Sequence, residues 1–210
     1  MYSAVIVAAG KGSRSGLTMN KVYAPLDNTC VLQHSIDVFK HDTDCGQIII
    51  VCDIADYYHY MPSVDDGRIL LAKGGTTRQH SVLNGVCAAI YDTVMIHDGA
   101  RPFIDQSMID RCKQALTMHE SALVCMPCID TIKYGHDHIE KTLDRSLLYV
   151  AQTPQCFHTK VYLDRAIDIM NQGISVTDDC QIMELSGHDD IAIVRGSSKN
   201  IKLTWPTDFD

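Results

Sequence analysis

SAVIVAAGKGSRSGLTMNKVY, residues 3–23, is the stretch on which the reading of this chain turns. Ala4 to Ala8 is an apolar run and predicts a buried strand. A glycine loop follows, and then two cations, Arg14 and Lys21, on a polar segment with no apolar face to serve. A strand that opens into glycines lets the backbone approach a phosphate and turns free N–H groups towards its oxygens. The loop is not a P-loop, because no Gly-Lys-Ser/Thr follows four residues after Gly10. It is not the dinucleotide fingerprint either, since Ser15 stands where the third glycine belongs. Gly10-Lys11-Gly12 alone fits an ordinary turn equally well. The cations tip the reading towards an anion site.

Downstream, strand and helix alternate. Val31 to Lys40 has apolar residues near helical spacing, and Gln47 to Cys52 is a short β-rich run. Ile54 to Tyr60 reads as a short helix, Arg68 to Lys73 as a strand, Thr77 to Ile90 as a helix and Thr93 to His97 as a strand. Asp105 is an N-cap for a helix to about His119, and Ser121 to Cys125 is a fifth strand. This alternation predicts an α/β fold with a doubly wound, mostly parallel sheet, Rossmann-like in kind. Ligands of such sheets sit beyond the carboxyl ends of the strands. Three polar loops fall there: Gly10 to Lys21, Gly74 to Ser81, and His97 to Pro102. In the third, Asp98 suits Mg²⁺ or a ribose hydroxyl, and Arg101 suits a phosphate. An Asp98–Arg101 ion pair that merely stiffens the turn fits those two residues as well.

The later chain breaks the alternation. Residues 130–143 read as a hairpin turning near Gly135 to His138, an arm of the kind that makes dimer contacts or an ordinary sheet edge. Leu147 to Ala151 is a strand, Gln152 to Gln155 a proline-fixed loop, and Thr159 to Met170 a helix. Thr177 caps another helix that Gly187 stops, with Asp178 and Asp179 in its first turn, where acids complement the dipole more often than they serve as catalytic carboxylates. Asp190 to Val194 and Asn200 to Thr204 are strands, and Pro206-Thr207 reads as a helix start. No linker composition divides residues 1–210, so the chain reads as one domain with residues 130–150 as a protruding arm.

Composition narrows the function classes. The net charge of −8 over 210 residues argues against broad nucleic-acid or anionic-membrane binding. An anionic ligand must then be held by local cations. No apolar run is long enough to span a bilayer, and no cationic leader opens the sequence. Nine cysteines, an odd number set in apolar segments, suit reduced thiols in a cytoplasmic protein. Cys125 and Cys128 have redox or zinc spacing, but no second such pair accompanies them, and buried thiols are the expectation.

Taken in order, AAGKGSR (8–14) with Lys21, GGTTRQHSV (74–82), IHDGARPF (96–103), DTIK (130–133), Arg145, QTPQCF (152–157), TDD (177–179) and NIKLT (200–204) resemble the 2-C-methyl-D-erythritol 4-phosphate cytidylyltransferase family of the glycosyltransferase-A-like nucleotidyltransferases. The resemblance covers essentially the whole chain. It implies transfer of CMP from CTP to methylerythritol 4-phosphate with release of pyrophosphate, in the non-mevalonate isoprenoid route. It implies that Ala8, Ala9, Gly10, Gly75, Thr76 and Ser81 surround the nucleoside, and that Arg14, Lys21 and Lys202 hold the triphosphate and its transition state. Asp98 would place Mg²⁺ or the sugar. Arg101, Thr131, Arg145 and Thr153 would bind the sugar-alcohol phosphate, with Thr131 and Arg145 reaching into a partner's site in a homodimer. Ser15, Gly99 and Tyr149 stand where the family often has Met, Ala and Trp; none carries charge chemistry. A sister family, ribitol-5-phosphate cytidylyltransferase, shares several motifs, but AAG rather than AGG and TDD rather than TDA favour methylerythritol. A CTP-binding regulator without turnover is a third reading, opposed by the full set of cations.

Overall fold

The computed structural model describes residues 1–10, 12, 16–61 and 66–209. The elements follow in order: β1 (Tyr2–Val7), the small hairpin β2 (Pro25–Leu26) and β3 (Thr29–Cys30), α1 (Val31–His41), β4 (Cys45–Cys52), α2 (Ile54–Tyr60), β5 (Ile69–Lys73), α3 (Arg78–Val86) and β6 (Thr93–Asp98). Then come α4 (Gln106–Ala115), β7 (Ser121–Pro127), β8 (Lys133–Gly135), β9 (Ile139–Thr142), β10 (Tyr149–His158), α5 (Thr159–Asn171), α6 (Cys180–Leu185) and β11 (Ile191–Arg195). Seven strands form one sheet in the order β11-β7-β10-β6-β1-β4-β5. Its neighbours run parallel except β10, which is antiparallel to both β6 and β7.

The central strands are mostly apolar because helices cover both faces. Along β1 the side chains alternate. Ala4 and Ile6 join Leu32, Ile36 and Phe39 of α1 and Met108 of α4 in one core. Val5 faces Val82 and Val86 of α3 and Tyr162 of α5 in the other. The chain lays β4 and β5 on one side of β1 and then returns to place β6 on the other. That reversal leaves a crevice at the carboxyl ends of β1 and β6, the usual ligand position in such sheets.

The expected doubly wound sheet is present, with several local corrections. Gln152 to Gln155 is not a loop. These residues are buried inside β10, and the register slips between Ala151 and Gln155. A strand accepts proline at such an irregularity, and the polar side chains find partners there. Asn200 to Thr204 is not a strand; Leu203 N–H bonds to Ala100 O at 2.9 Å and the segment follows the loop after β6. The helix expected over 77–90 ends at Val86, where the Gln47 side chain takes over: it donates to Ala88 O and accepts from Ile90 N–H. The helix begun by Asp105 ends at Ala115, short of His119. The β2–β3 hairpin was not expected; Asp27 turns it with φ of 52°, a conformation that short polar side chains tolerate. Residues 206–209 form a single 3₁₀ turn.

β8 and β9 form their own two-stranded sheet, as the hairpin reading expected. Ile129, Tyr134, Ile139, Leu147, Tyr149 and Val150 are all exposed on or beside this arm.

A buried polar chain stitches β6 to β10. The His97 imidazole accepts or donates at both nitrogens, Nδ1 to Thr153 Oγ1 at 2.9 Å and Nε2 to Arg101 O at 3.1 Å. The carbonyl can only accept, so Nε2 carries the proton and Nδ1 takes the Thr153 hydroxyl proton. Thr153 Oγ1 then accepts from Asp98 N–H at 3.1 Å. Burial pushes the imidazole down to about 4, so it is neutral at pH 7. The unfolded chain binds that proton more readily, so the contribution is complete above about 6.5 and is lost as pH falls towards 4. The loss is on the order of 3 kcal/mol across this window. Urea unfolding at pH 7.5, 5.5 and 4.5 checks it: the wild-type midpoint falls through the window, and His97→Gln flattens that fall. An equal slope in the variant would refute the assignment.

α3 crosses the sheet at Gly85, where a Cβ would lie 2.5 Å from Val5 Cγ1 and 2.6 Å from Val51 Cγ2. Both valines sit in central strands with no room to retreat. Gly85→Val is therefore expected to destabilise by about 1–3 kcal/mol through overpacking, read as a lower urea midpoint at pH 7.5.

Candidate nucleotide and phosphate site

The loops after β1, β5 and β6 converge on a pocket of about 400 Å³. Ala8, Ala9, Gly10, Gly75, Thr76 and Ser81 line it together with the charged residues Lys21, Arg78, Asp98 and Lys202. Each side chain has a local reason for its place. The Asn20 side chain donates to Ala8 O at 2.9 Å and accepts from Val22 N–H, capping the 3₁₀ turn Lys21–Tyr23. Asn20 is thus held at the end of β1, with Lys21 at the crevice. Gly74 and Gly75 give the second loop its close approach: a Cβ on Gly74 would collide with Ala9 Cβ, and one on Gly75 with His80 Cβ. Gly75 N–H bonds to Ser81 Oγ at 3.0 Å, and Ser81 Oγ donates to Thr77 O at 2.9 Å. The Ser81 hydroxyl builds the loop that faces the ligand.

Asp98, the last residue of β6, is the electrostatic centre. Lys202 Nζ lies 2.8 Å from Oδ2, Arg78 Nε 3.3 Å from Oδ1, and Arg101 Nε 3.8 Å from Oδ2. Burial pushes the carboxyl up, but the charges of Arg78, Lys202 and Arg101 outweigh it and hold Asp98 well below the ordinary carboxylate range. Arg78 also donates to Asp179 Oδ2 at 2.8 Å. Three cations, Arg78, Lys202 and Arg101, against two carboxylates, Asp98 and Asp179, leave one positive charge in this cluster. A chain of net charge −8 thus keeps a positive crevice.

The remaining expected residues are placed differently. Arg14 lies outside the described residues. Arg101 spends its guanidinium on the framework, donating to Asn200 O at 2.8 Å, and does not line the pocket. Thr153 is buried beneath it, with its hydroxyl committed to His97 and Asp98. Thr131 and Arg145 are exposed on the arm and do not line the pocket; Arg145 Nη1 donates to Ile129 O at 2.7 Å. Cys125 is buried, its thiol pushed up to about 11, and Cys128 points its sulfur at Asp130 O. No group of three or more metal-ligating side chains occurs among the described residues.

Sequence reasoning missed two residues. Arg78 stands in GGTTRQHSV with no role of its own assigned to it, and Asp179 reads as an acid in the first turn of a helix. Asp179 is fully buried, accepting from Arg78 and from the Tyr162 hydroxyl at 3.0 Å. Nothing local in the sequence pairs residues 101 positions apart.

The sequence profile of 2-C-methyl-D-erythritol 4-phosphate cytidylyltransferase matches residues 2–210. Proteins of that name from Syntrophotalea carbinolica and Actinobacillus pleuropneumoniae are 38% and 36% identical to this chain. Each alignment covers 98% of this chain and, respectively, 91% and 92% of the relative. The crystal structure of 4-diphosphocytidyl-2C-methyl-D-erythritol synthase from Anaerococcus prevotii matches with a TM-score of 0.88 at 28% identity, covering 99% of this chain and 94% of that one. With the profile matched over residues 2–210 and full-length relatives at 36% and 38% identity, the chain belongs to the 2-C-methyl-D-erythritol 4-phosphate cytidylyltransferase family.

Proposed function

We propose that the crevice at the ends of β1 and β6 transfers CMP from CTP to 2-C-methyl-D-erythritol 4-phosphate and releases pyrophosphate, as an enzyme of the non-mevalonate isoprenoid route. The observation that carries this is the cation cluster around Asp98, with Lys202 and Lys21 beside two glycine loops. A phosphate oxygen of the sugar attacks the α-phosphorus of CTP. The bond from that phosphorus to the pyrophosphate oxygen breaks, and the pyrophosphate leaves with its electron pair. The nucleophile is already anionic, so no general base and no covalent intermediate is needed. Alignment of the two oxygens and stabilisation of the added charge supply the rate.

The division of labour follows from position. Ala8, Ala9, Gly10, Gly75 and Thr76 form a close-fitting wall for the nucleoside, with Ser81 shaping its second loop. Lys21 and Lys202, with Arg14, neutralise the triphosphate. Asp98 holds Lys202 in the crevice and faces the incoming sugar. Mg²⁺ fits as a passenger on the triphosphate: Asp98 is the one carboxylate among the described lining residues, and this metal takes most of its ligands from phosphate and water. Asp98 would be its protein contact, and the ion would neutralise phosphate charge.

The acceptor side is completed by a second copy. Thr131 and Arg145 lie on an arm with exposed apolar side chains, away from their own pocket. A twofold pairing through that arm brings one protomer's Arg145 to the other's crevice. All nine cysteines are free, and seven are buried, which suits a reducing cytoplasm. Among the described residues, no helix is long and apolar enough to cross a membrane.

Pyrophosphate release from CTP and Mg²⁺ tests the reading with methylerythritol 4-phosphate and ribitol 5-phosphate in parallel. Turnover is expected with the first sugar only; comparable turnover of both would sink the specificity. Lys202→Ala is expected to lower kcat by roughly 10²- to 10³-fold, as for other lost charge-stabilising donors, with an unchanged circular dichroism spectrum. Mixing inactive Arg145→Ala with inactive Lys202→Ala should restore about a quarter of wild-type activity if each site in a twofold dimer uses both chains. No recovery would place Arg145 in its own protomer's site or outside the reaction.

A further inference from the structure

We propose that Arg78 is a positioning residue for the transfer: it holds Asp98 so that Lys202 can leave the carboxylate for the phosphates. The inference rests on the reading of Lys202 as a triphosphate cation. Arg78 is the first residue of α3, directly after the Thr77 cap. Its guanidinium forks, Nε–H to Asp98 Oδ1 at 3.3 Å and Nη2–H to Asp179 Oδ2 at 2.8 Å. The far anchor is rigid. Asp179 has no exposed surface, its Oδ1 accepts from Tyr162 of α5, and the N–H groups of Asp179 and Cys180 both end on Gln155 Oε1 of β10 at 2.9 Å. One side chain therefore ties the nucleotide loop, the end of β6 and the start of α6 together.

The three cations on Asp98 are not equivalent. Arg101 sits at 3.8 Å with its side chain 12% exposed and its Nη groups spent on carbonyls. Arg78 is held at both ends. Lys202 reaches Asp98 by one flexible chain with its side chain 37% exposed, the most of the three. A lysine in this position can exchange a carboxylate for a phosphate only if the carboxylate keeps other partners. Arg78 supplies the closer of the two that remain. Without it, Asp98 would hold Lys202 as its only short ion pair. Lysine at position 78 would keep the charge but lose the fork to two carboxylates.

Steady-state kinetics with CTP, Mg²⁺ and methylerythritol 4-phosphate test this on wild type, Arg78→Lys and Asp179→Asn. The second variant alters only the anchor, at a residue that does not line the pocket. Arg78→Lys should lower kcat about tenfold, the scale of a small misplacement at a reacting centre. Its KM for CTP should stay within about threefold, because the interaction lost matters to the transition state and not to nucleotide binding. Asp179→Asn should move kcat in the same direction with KM unchanged. Wild-type kcat in either folded variant, or a loss confined to KM or to Tm, would overturn the proposal. Should Arg78→Lys fail to fold, the Asp179→Asn result decides alone. An inactive wild type would strike the functional reading instead, whereas an active wild type with indifferent variants strikes only the role of Arg78.

Discussion

Everything at the crevice depends on one buried carboxylate kept charged by three cations. Asp98 ends β6, the strand that returns beside β1. Burial alone would neutralise it. Arg78, Lys202 and Arg101 reverse that preference, and they come from α3, the C-terminal segment and the loop of Asp98 itself. A single ionised group thereby gathers three otherwise independent parts of the chain. It also explains how a chain of net negative charge receives a polyanion: the field that matters is local, and the low-dielectric walls make it count.

The sheet supplies the place and the polar seam supplies the accuracy. The reversal of strand order opens the crevice in any sheet of this class. His97 and Thr153 then fix how β6 and β10 meet, and Gln155 ties β10 to the start of α6, by hydrogen bonds in which every donor faces an acceptor. Such a network is costly when incomplete and specifying when satisfied. Substrate-facing residues consequently stand on residues that never face the substrate.

Much of this was legible in the sequence, for physical reasons that differ by element. Parallel strands covered on both faces are continuous apolar runs, so β1, β4 and β6 were plain. Glycine loops and the cation at position 21 announced the crevice. Gln152 to Gln155 misled because polar residues with a proline carry the composition of a loop; only the partners waiting in the sheet reveal a buried strand. Asn200 to Thr204 misled in the opposite way, an apolar alternation that lies along a loop. Arg78 and Asp179 were invisible as a pair, because an ion pair between distant segments leaves no periodic trace. The placement of Arg101 and Thr153 shows the same limit: a residue type suited to phosphate or hydroxyl contact can be spent on the framework that holds the site.

The distribution of sulfur has a consequence for handling the molecule. Seven cysteines are buried, and burial pushes the thiols of Cys30, Cys45, Cys52, Cys125, Cys156 and Cys180 away from the reactive thiolate. Cys87, just past the end of α3, is exposed, and Cys128 is half-exposed. Towards an alkylating dye, the folded chain behaves as though it owned one or two cysteines, while the unfolded chain offers nine. The stoichiometry of labelling is thus a built-in gauge of the folded fraction, and Cys87 is a ready attachment point at the end of the helix that carries Arg78 into the crevice.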